Sequence, residues 1–240
     1  MQNLFEWQAS DIEPVLAIAL TTIGFIIYWF LGLSDSIRAK FVKKYGEEKT
    51  RINFILFQKY IGVLFLGIVP TIIALIFLPY SFSEYGLNFK NLLPTLYWTL
   101  GLGAIIIPMN LFAARKPKNY VVYPHIRAEV WNSGLIIKNA ISWILYLFAY
   151  EFLFRGILLF ACIPVLGVWP AIAVNITIYS CTHIPKGLTE AVAAIPFGII
   201  LCLITISTGN IWVAVFAHIF LALSNDYVAL YFNPKTRIIK

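Results

Sequence analysis

Apolar runs of about twenty residues recur along this chain, and nothing else limits its fold as strongly. A helix needs about twenty such residues to cross the hydrocarbon of a bilayer. Seven runs reach or approach that length: roughly 14–33, 58–79, 92–113, 135–165, 168–183, 188–208 and 211–232. The 240 residues are 60% hydrophobic and 12% charged, whereas soluble domains are about half apolar and a quarter charged. The expectation is an all-α, polytopic membrane helix bundle with no room for a soluble domain of ordinary size. The fourth run exceeds one crossing. It is expected to tilt, to kink near Gly156, or to begin at the interface.

Basic residues set an orientation. Arg38, Lys40, Lys43, Lys44, Lys49 and Arg51 follow the first run, Arg115, Lys116, Lys118 and Arg127 the third, and Lys186 the fifth. Lys235, Arg237 and Lys240 close the chain, while the opposite ends carry Glu6, Asp11, Glu13, Glu84 and one base, Lys90. Positive loops stay in the cytoplasm, which predicts an outer N-terminus and a cytoplasmic C-terminus. The net charge of +7 thus belongs to topology. No segment interleaves bases and aromatics as a nucleic-acid binder does, so no nucleic-acid partner is expected. No Lys or Arg precedes Arg38, so a cleavable signal peptide is not expected. Cys162, Cys181 and Cys202 lie in apolar runs and read as packing residues. Trp98, Trp131, Trp169 and Trp212 sit near span ends and suit interfacial belts. In the linker 34–57, Ile37, Phe41 and Tyr45 recur four apart among charges. That spacing predicts an amphipathic helix on the inner leaflet, the alternative being a solvated basic loop.

Ionisable residues inside spans are costly and face the bundle interior or a wet cavity. Four stand out. Glu151 and Arg155 are four apart on one helix face and can pair, either as a structural salt bridge or as part of a reaction centre. Asn175, Tyr179 and His183 share a face of the fifth run; His218 and Asn225 share one of the seventh. A Glu with two His could activate water or hold a metal. His125, in a basic loop, is assigned no role. For one site to form, the fifth run must reach deeper than its inner end suggests or break at Pro185 within HIPKG.

YEFLFRG at 150–156, YSCTH at 179–183 and AHIFLALSND at 217–226 resemble the CPBP (Abi) family of intramembrane proteases, which includes the CAAX prenyl-protein endopeptidases. FGIILCLITISTGNIWVAVFAH at 197–218 and SFSEYGL at 81–87 are similar to further family segments. The resemblance implies 1–80 as N-terminal spans with the cytoplasmic linker and 81–240 as a CPBP-like membrane core. It also implies a bacterial inner-membrane setting, with the bilayer and a membrane peptide, protein substrate or protein partner as neighbours. Glu151 matches the second Glu of the family's Glu-Glu-x-x-x-Arg motif, Arg155 its Arg, and His183 and His218 its two His. Tyr179 replaces a Phe.

Two positions depart. Tyr150 stands where the family has its first Glu, the proposed base, and tyrosine is a poor base near neutral pH. The final Asn falls on Ala222, with Asn225 the nearest substitute. The expectation is therefore a divergent protease with Glu151, His183 and His218 catalytic and Arg155, Asn225, Tyr150 and Tyr179 supporting. The alternative is a catalytically inactive homologue acting as a scaffold or partner-binding subunit. A proton-coupled carrier is the third class, weakened by the lack of an inverted repeat. No metal is assigned and no cofactor is identified; Mg and nucleotide motifs are absent.

Overall fold

The computed structural model describes residues 6–113 and 115–239; Met1–Phe5, Ala114 and Lys240 lie outside the described residues. The chain is an all-α integral membrane bundle. Its long elements are α1 (Ile12–Gly32), α2 (Asp35–Val63), α3 (Val69–Phe77), α4 (Leu92–Ala113), α5 (Ser133–Glu151), α6 (Leu159–Leu166), α7 (Val168–Cys181), α8 (Leu188–Thr208) and α9 (Trp212–Phe232). A π-helical stretch joins α2 to α3 at Leu64–Ile68, and another joins α5 to α6 at Phe152–Leu158. Besides helix, the described residues hold a two-residue parallel pairing of β1 (Val130–Trp131) with β2 (Arg237–Ile238).

Among the described residues, six continuous helical stretches are long and apolar enough to cross a membrane. They account for six of the seven expected runs. The fifth run forms α7, but at 14 residues it is about 21 Å long, short of the roughly 30 Å hydrocarbon thickness. The linker is helical, not a loop, and it breaks at Gly46 (φ 77°, ψ 165°). Phe41 then packs back on Phe54 and Phe57, with ring centroids 5.6 and 5.3 Å away. The linker's apolar face is therefore partly used against α2 itself.

The 34-residue stretch Ser133–Leu166 is the centre of the bundle. Residues 149–159 are buried without exception, and a helix apolar all round belongs inside other helices. Around it, α9 packs on α4, α5 and α8, α7 joins α6 to α8, and α1 lies on α2 and α6. Lipid tails are as apolar as leucine, so close packing and interhelical hydrogen bonds carry much of the cohesion. Asn110 of α4 donates to the Leu221 carbonyl at 3.0 Å and to Ser224 Oγ at 2.7 Å on α9. At the opposite end, Asn88 donates to the Ser83 and Gly209 carbonyls, and Trp212 Nε1 donates back to the Asn88 carbonyl. That ties the 81–91 loop to the α8–α9 turn.

Gly24 shows how close the helices come. A Cβ there would lie 2.4 Å from the Phe65 carbonyl oxygen in the first π stretch, and backbone cannot move aside as a side chain can. Gly24→Ala is expected to destabilise the bundle by about 1–3 kcal/mol, read as a lower thermal unfolding midpoint in detergent.

Candidate functional site

Three helices and one turn build the polar cluster. Glu151 ends α5 and is wholly buried, as is Arg155 one turn later in the π stretch. His218 projects from α9, and its Nδ1 lies 2.5 Å from Glu151 Oε1. The other oxygen, Oε2, lies 3.3 Å from Arg155 Nη1. His183 follows α7, where the chain leaves the helix at Thr182 and passes through a short 3-10 turn, Ile184–Lys186, to Gly187 (φ 104°). The break at Pro185 and Gly187 is thus present, and α7 stops beside the other site helices.

Hydrogen bonding orders both imidazoles. His183 Nδ1 lies 2.8 Å from the Tyr179 carbonyl. A carbonyl only accepts, so Nδ1 carries the proton and Nε2 is left as an acceptor. The carboxylate of Glu151 does the same for His218: it accepts from Nδ1–H and leaves Nε2 free. The two rings flank Tyr179, with centroids 4.6 and 6.3 Å from its ring. Tyr150 stands edge-on to His218 at 5.8 Å, and its hydroxyl is 2.8 Å from Thr182 Oγ1. Thr182 donates in turn to the Tyr179 carbonyl at 2.7 Å.

Arg155 is held differently. Its guanidinium lies 4.2 Å over the Tyr179 ring, a cation–π contact. Its contact with Glu151 Oε2 is outside hydrogen-bond geometry, and among the described residues Nε, Nη1, Nη2 and Oε2 have no hydrogen-bonding partner. Gly198 of α8 makes this stacking feasible: a Cβ there would sit 3.1 Å from the Tyr179 ring and 3.5 Å from Arg155 Nη2.

The π stretch leaves backbone carbonyls out of the α ladder. Asn175 of α7 donates to one of them, the Phe154 carbonyl, at 2.6 Å, and Cys202 of α8 donates to Asn175 Oδ1 at 3.4 Å.

Six of the residues singled out in the sequence therefore meet: Tyr150, Glu151, Arg155, Tyr179, His183 and His218. Asn225 forms none of these contacts and is only partly buried. Its neighbour Asp226 is wholly buried and turns toward α5 instead. Ala222, where the motif's Asn would fall, is packed in the apolar core. Among the described residues, no three His, Cys, Asp or Glu side chains converge as a metal-holding group. Thr182 was missed: between two motif letters, a threonine carries no signal by itself. Lys59 and Asp226 were missed as partners, although a lone base and a lone acid in two apolar runs are a legible hint.

Residues 132–224 match the family model described as "Type II CAAX prenyl endopeptidase Rce1-like". Over that stretch the chain is similar to the CPBP family, in line with the motifs at 150–156, 179–183 and 217–226. No curated protein matches it, and no solved structure does. The matched segment begins at the N-cap of α5 and ends two turns beyond His218, so it holds every member of the buried cluster. Residues 1–131 lie outside it, as does Asn225. The protein is an integral membrane protein whose segment 132–224 is CAAX-protease-like in sequence.

The Asn175 contact makes a testable claim. Asn175→Ala would leave the Phe154 carbonyl buried without a donor, a cost of about 1–3 kcal/mol. Thermal unfolding in detergent should show the loss, and Asn175→Gln should not restore it, because the longer side chain displaces the amide.

Proposed function

We propose that the chain is a divergent CPBP-type intramembrane protease that cuts a membrane-associated peptide or protein by activating water at a Glu/His site. The observation that carries this is the 2.5 Å contact between Glu151 Oε1 and His218 Nδ1. It favours His218 as the base and Glu151 as its anchor, rather than Glu151 taking the proton itself. Glu151 has no exposure, whereas His183 and His218 keep 8% and 7%, so water reaches the imidazoles first. A buried carboxylate that holds Nδ1–H fixes the tautomer and stabilises the imidazolium that forms. His218 Nε2 takes a proton from water as the oxygen attacks the scissile carbonyl, then returns it to the leaving amine. His183 Nε2 accepts the other hydrogen of the water and orients it. Arg155 keeps positive charge 3.3 Å from the second oxygen of Glu151.

The second reading is a non-catalytic scaffold or partner-binding subunit. The Tyr150–Thr182 bond favours it, because the phenol at the family's first-acid position is tied into the helix-end network. Comparative membrane proteomics in the native host separates the two, using wild type, deletion, Glu151→Gln, His218→Ala and Tyr150→Phe at matched abundance. The protease reading expects one uncut precursor to accumulate in the deletion, Glu151→Gln and His218→Ala strains, with Tyr150→Phe still processing it. If Glu151→Gln and His218→Ala behave as wild type while the deletion loses a partner protein, the scaffold reading holds.

We also propose a bacterial cytoplasmic membrane with the N-terminus outside and the C-terminus inside, on the alternation of basic loops. A C-terminal reporter active only in the cytoplasm should be active; one active only outside should be silent.

A further inference from the structure

A second buried polar cluster lies away from the site. Asp226 of α9 is wholly buried and accepts three hydrogen bonds. Trp143 Nε1 donates to Oδ2 at 2.7 Å, Asn139 Nδ2 to Oδ2 at 2.9 Å, and the His125 backbone N–H to Oδ1 at 2.9 Å. Lys59 of α2, 2% exposed, donates to Asn139 Oδ1 at 3.0 Å and lies 3.9 Å over the Trp143 ring. The His125 ring packs against the same aromatic, 5.4 Å from Trp143 by centroid. The α9 carboxylate is thus held by α5 and by the segment at His125, with α2 joined through Asn139.

The register of this cluster connects it to the site. Trp143 precedes Glu151 by eight residues on α5, and Asp226 follows His218 by eight on α9. The helices run antiparallel, so Trp143–Asp226 and Glu151–His218 are two rungs of one ladder, about 12 Å apart at 1.5 Å per residue. A slide of α9 by one residue would break both rungs together. The second rung needs no substrate and holds three donors, so it sets the register in which the first can close.

We infer that Asp226 is a positioning residue: its bonds to Asn139, Trp143 and the His125 backbone fix α9 against α5 and thereby set the Glu151–His218 contact. Its part in catalysis rests on the proteolytic reading above; its part in geometry does not. Displacements near 1 Å can cost about a hundredfold in rate, so a loosened rung should be visible in turnover without any change at Glu151 or His218.

The test reads the contact directly. In purified full-length protein carrying ¹⁵N-histidine, the short Nδ1–H···Oε1 bond gives a strongly downfield proton signal, assigned by its loss in His218→Gln. Asp226→Asn is expected to shift or remove it, because an amide cannot accept all three bonds. The exchanged pair Asn139→Asp with Asp226→Asn restores the bond between positions 139 and 226 but leaves one of the other two donors unmet, so it should bring the signal part of the way back. Trp143→Phe, which drops one donor and keeps the ring, covers the case in which Asp226→Asn fails to fold, and should give an intermediate shift. Processing of the accumulated precursor should fall roughly 10–100-fold in Asp226→Asn and recover in part in the exchanged pair. An unshifted signal in folded Asp226→Asn and Trp143→Phe overturns the inference, as does an exchanged pair that regains thermal stability without the signal. If the signal follows the ladder while no variant, nor wild type, processes any protein, the coupling stands and the proteolytic reading falls.

Discussion

A carboxylate in the middle of a lipid-embedded bundle is tenable only when its neighbours replace the water it has lost. Glu151 meets this with an imidazole on one oxygen and a guanidinium near the other. Much of the architecture follows. Arg155 must lie on the same helix one turn away, so both sit on the central stretch that is buried on every side. His218 must come from a second helix held at fixed depth, so α9 is bound to α4, α5 and α8 rather than facing lipid. Tyr179 must offer its ring to Arg155, so α7 turns the face bearing Asn175 and Tyr179 into the bundle and α8 presents a glycine at 198.

The irregular backbone between α5 and α6 belongs to the same problem. Non-helical or π backbone at membrane depth survives where protein groups satisfy the freed carbonyls. Asn175 supplies that satisfaction from α7, and Cys202 holds Asn175 from α8. The helix carrying Glu151 and Arg155 is thereby fastened to α7, which carries Tyr179 and leads into His183, and through it to α8. The short reach of α7 is part of this arrangement. A helix that crossed the whole bilayer would carry its C-terminal histidine past the site. One that ends at Cys181 leaves His183 beside Tyr179.

Much of this was legible in the sequence because each span is written in consecutive residues. The apolar runs at 92–113, 188–208 and 211–232 mark their helices to within a residue or so, and the i, i+4 spacing of Glu151 and Arg155 places both on one face. What the sequence does not carry is the pairing of helices. Whether His218 meets Glu151 or faces elsewhere depends on how α9 packs, and no local pattern encodes that. Asn225 illustrates the limit. Periodicity puts it within two turns of His218 on a shared side, yet Asp226 next to it is the residue the packing buries against α5. Lys59 was readable only as a base near the start of an apolar run, since its partners Asn139 and Asp226 lie 80 and 167 positions away in a chain numbered through 240.

Tyr150 decides how the chemistry can be arranged. Successive residues on a helix point about 100° apart, so Glu151 cannot simply occupy the volume of a side chain at 150. It faces α9 and Arg155, while position 150 faces Thr182 and the end of α7. A phenol in that volume binds Thr182 and leaves no acid there to take a proton from water. On the proposed reading the base therefore moves across the helix interface, from α5 to His218 on α9, and Glu151 changes from a supporting acid to the anchor of that base. Such a site depends on the α5–α9 register far more than one whose base and support sit on the same turn. A base on α5 would keep its place whatever α9 did. A base on α9 held by an acid on α5 works only while the two helices stay in step, and the ladder continuing to Asp226 is what keeps them so.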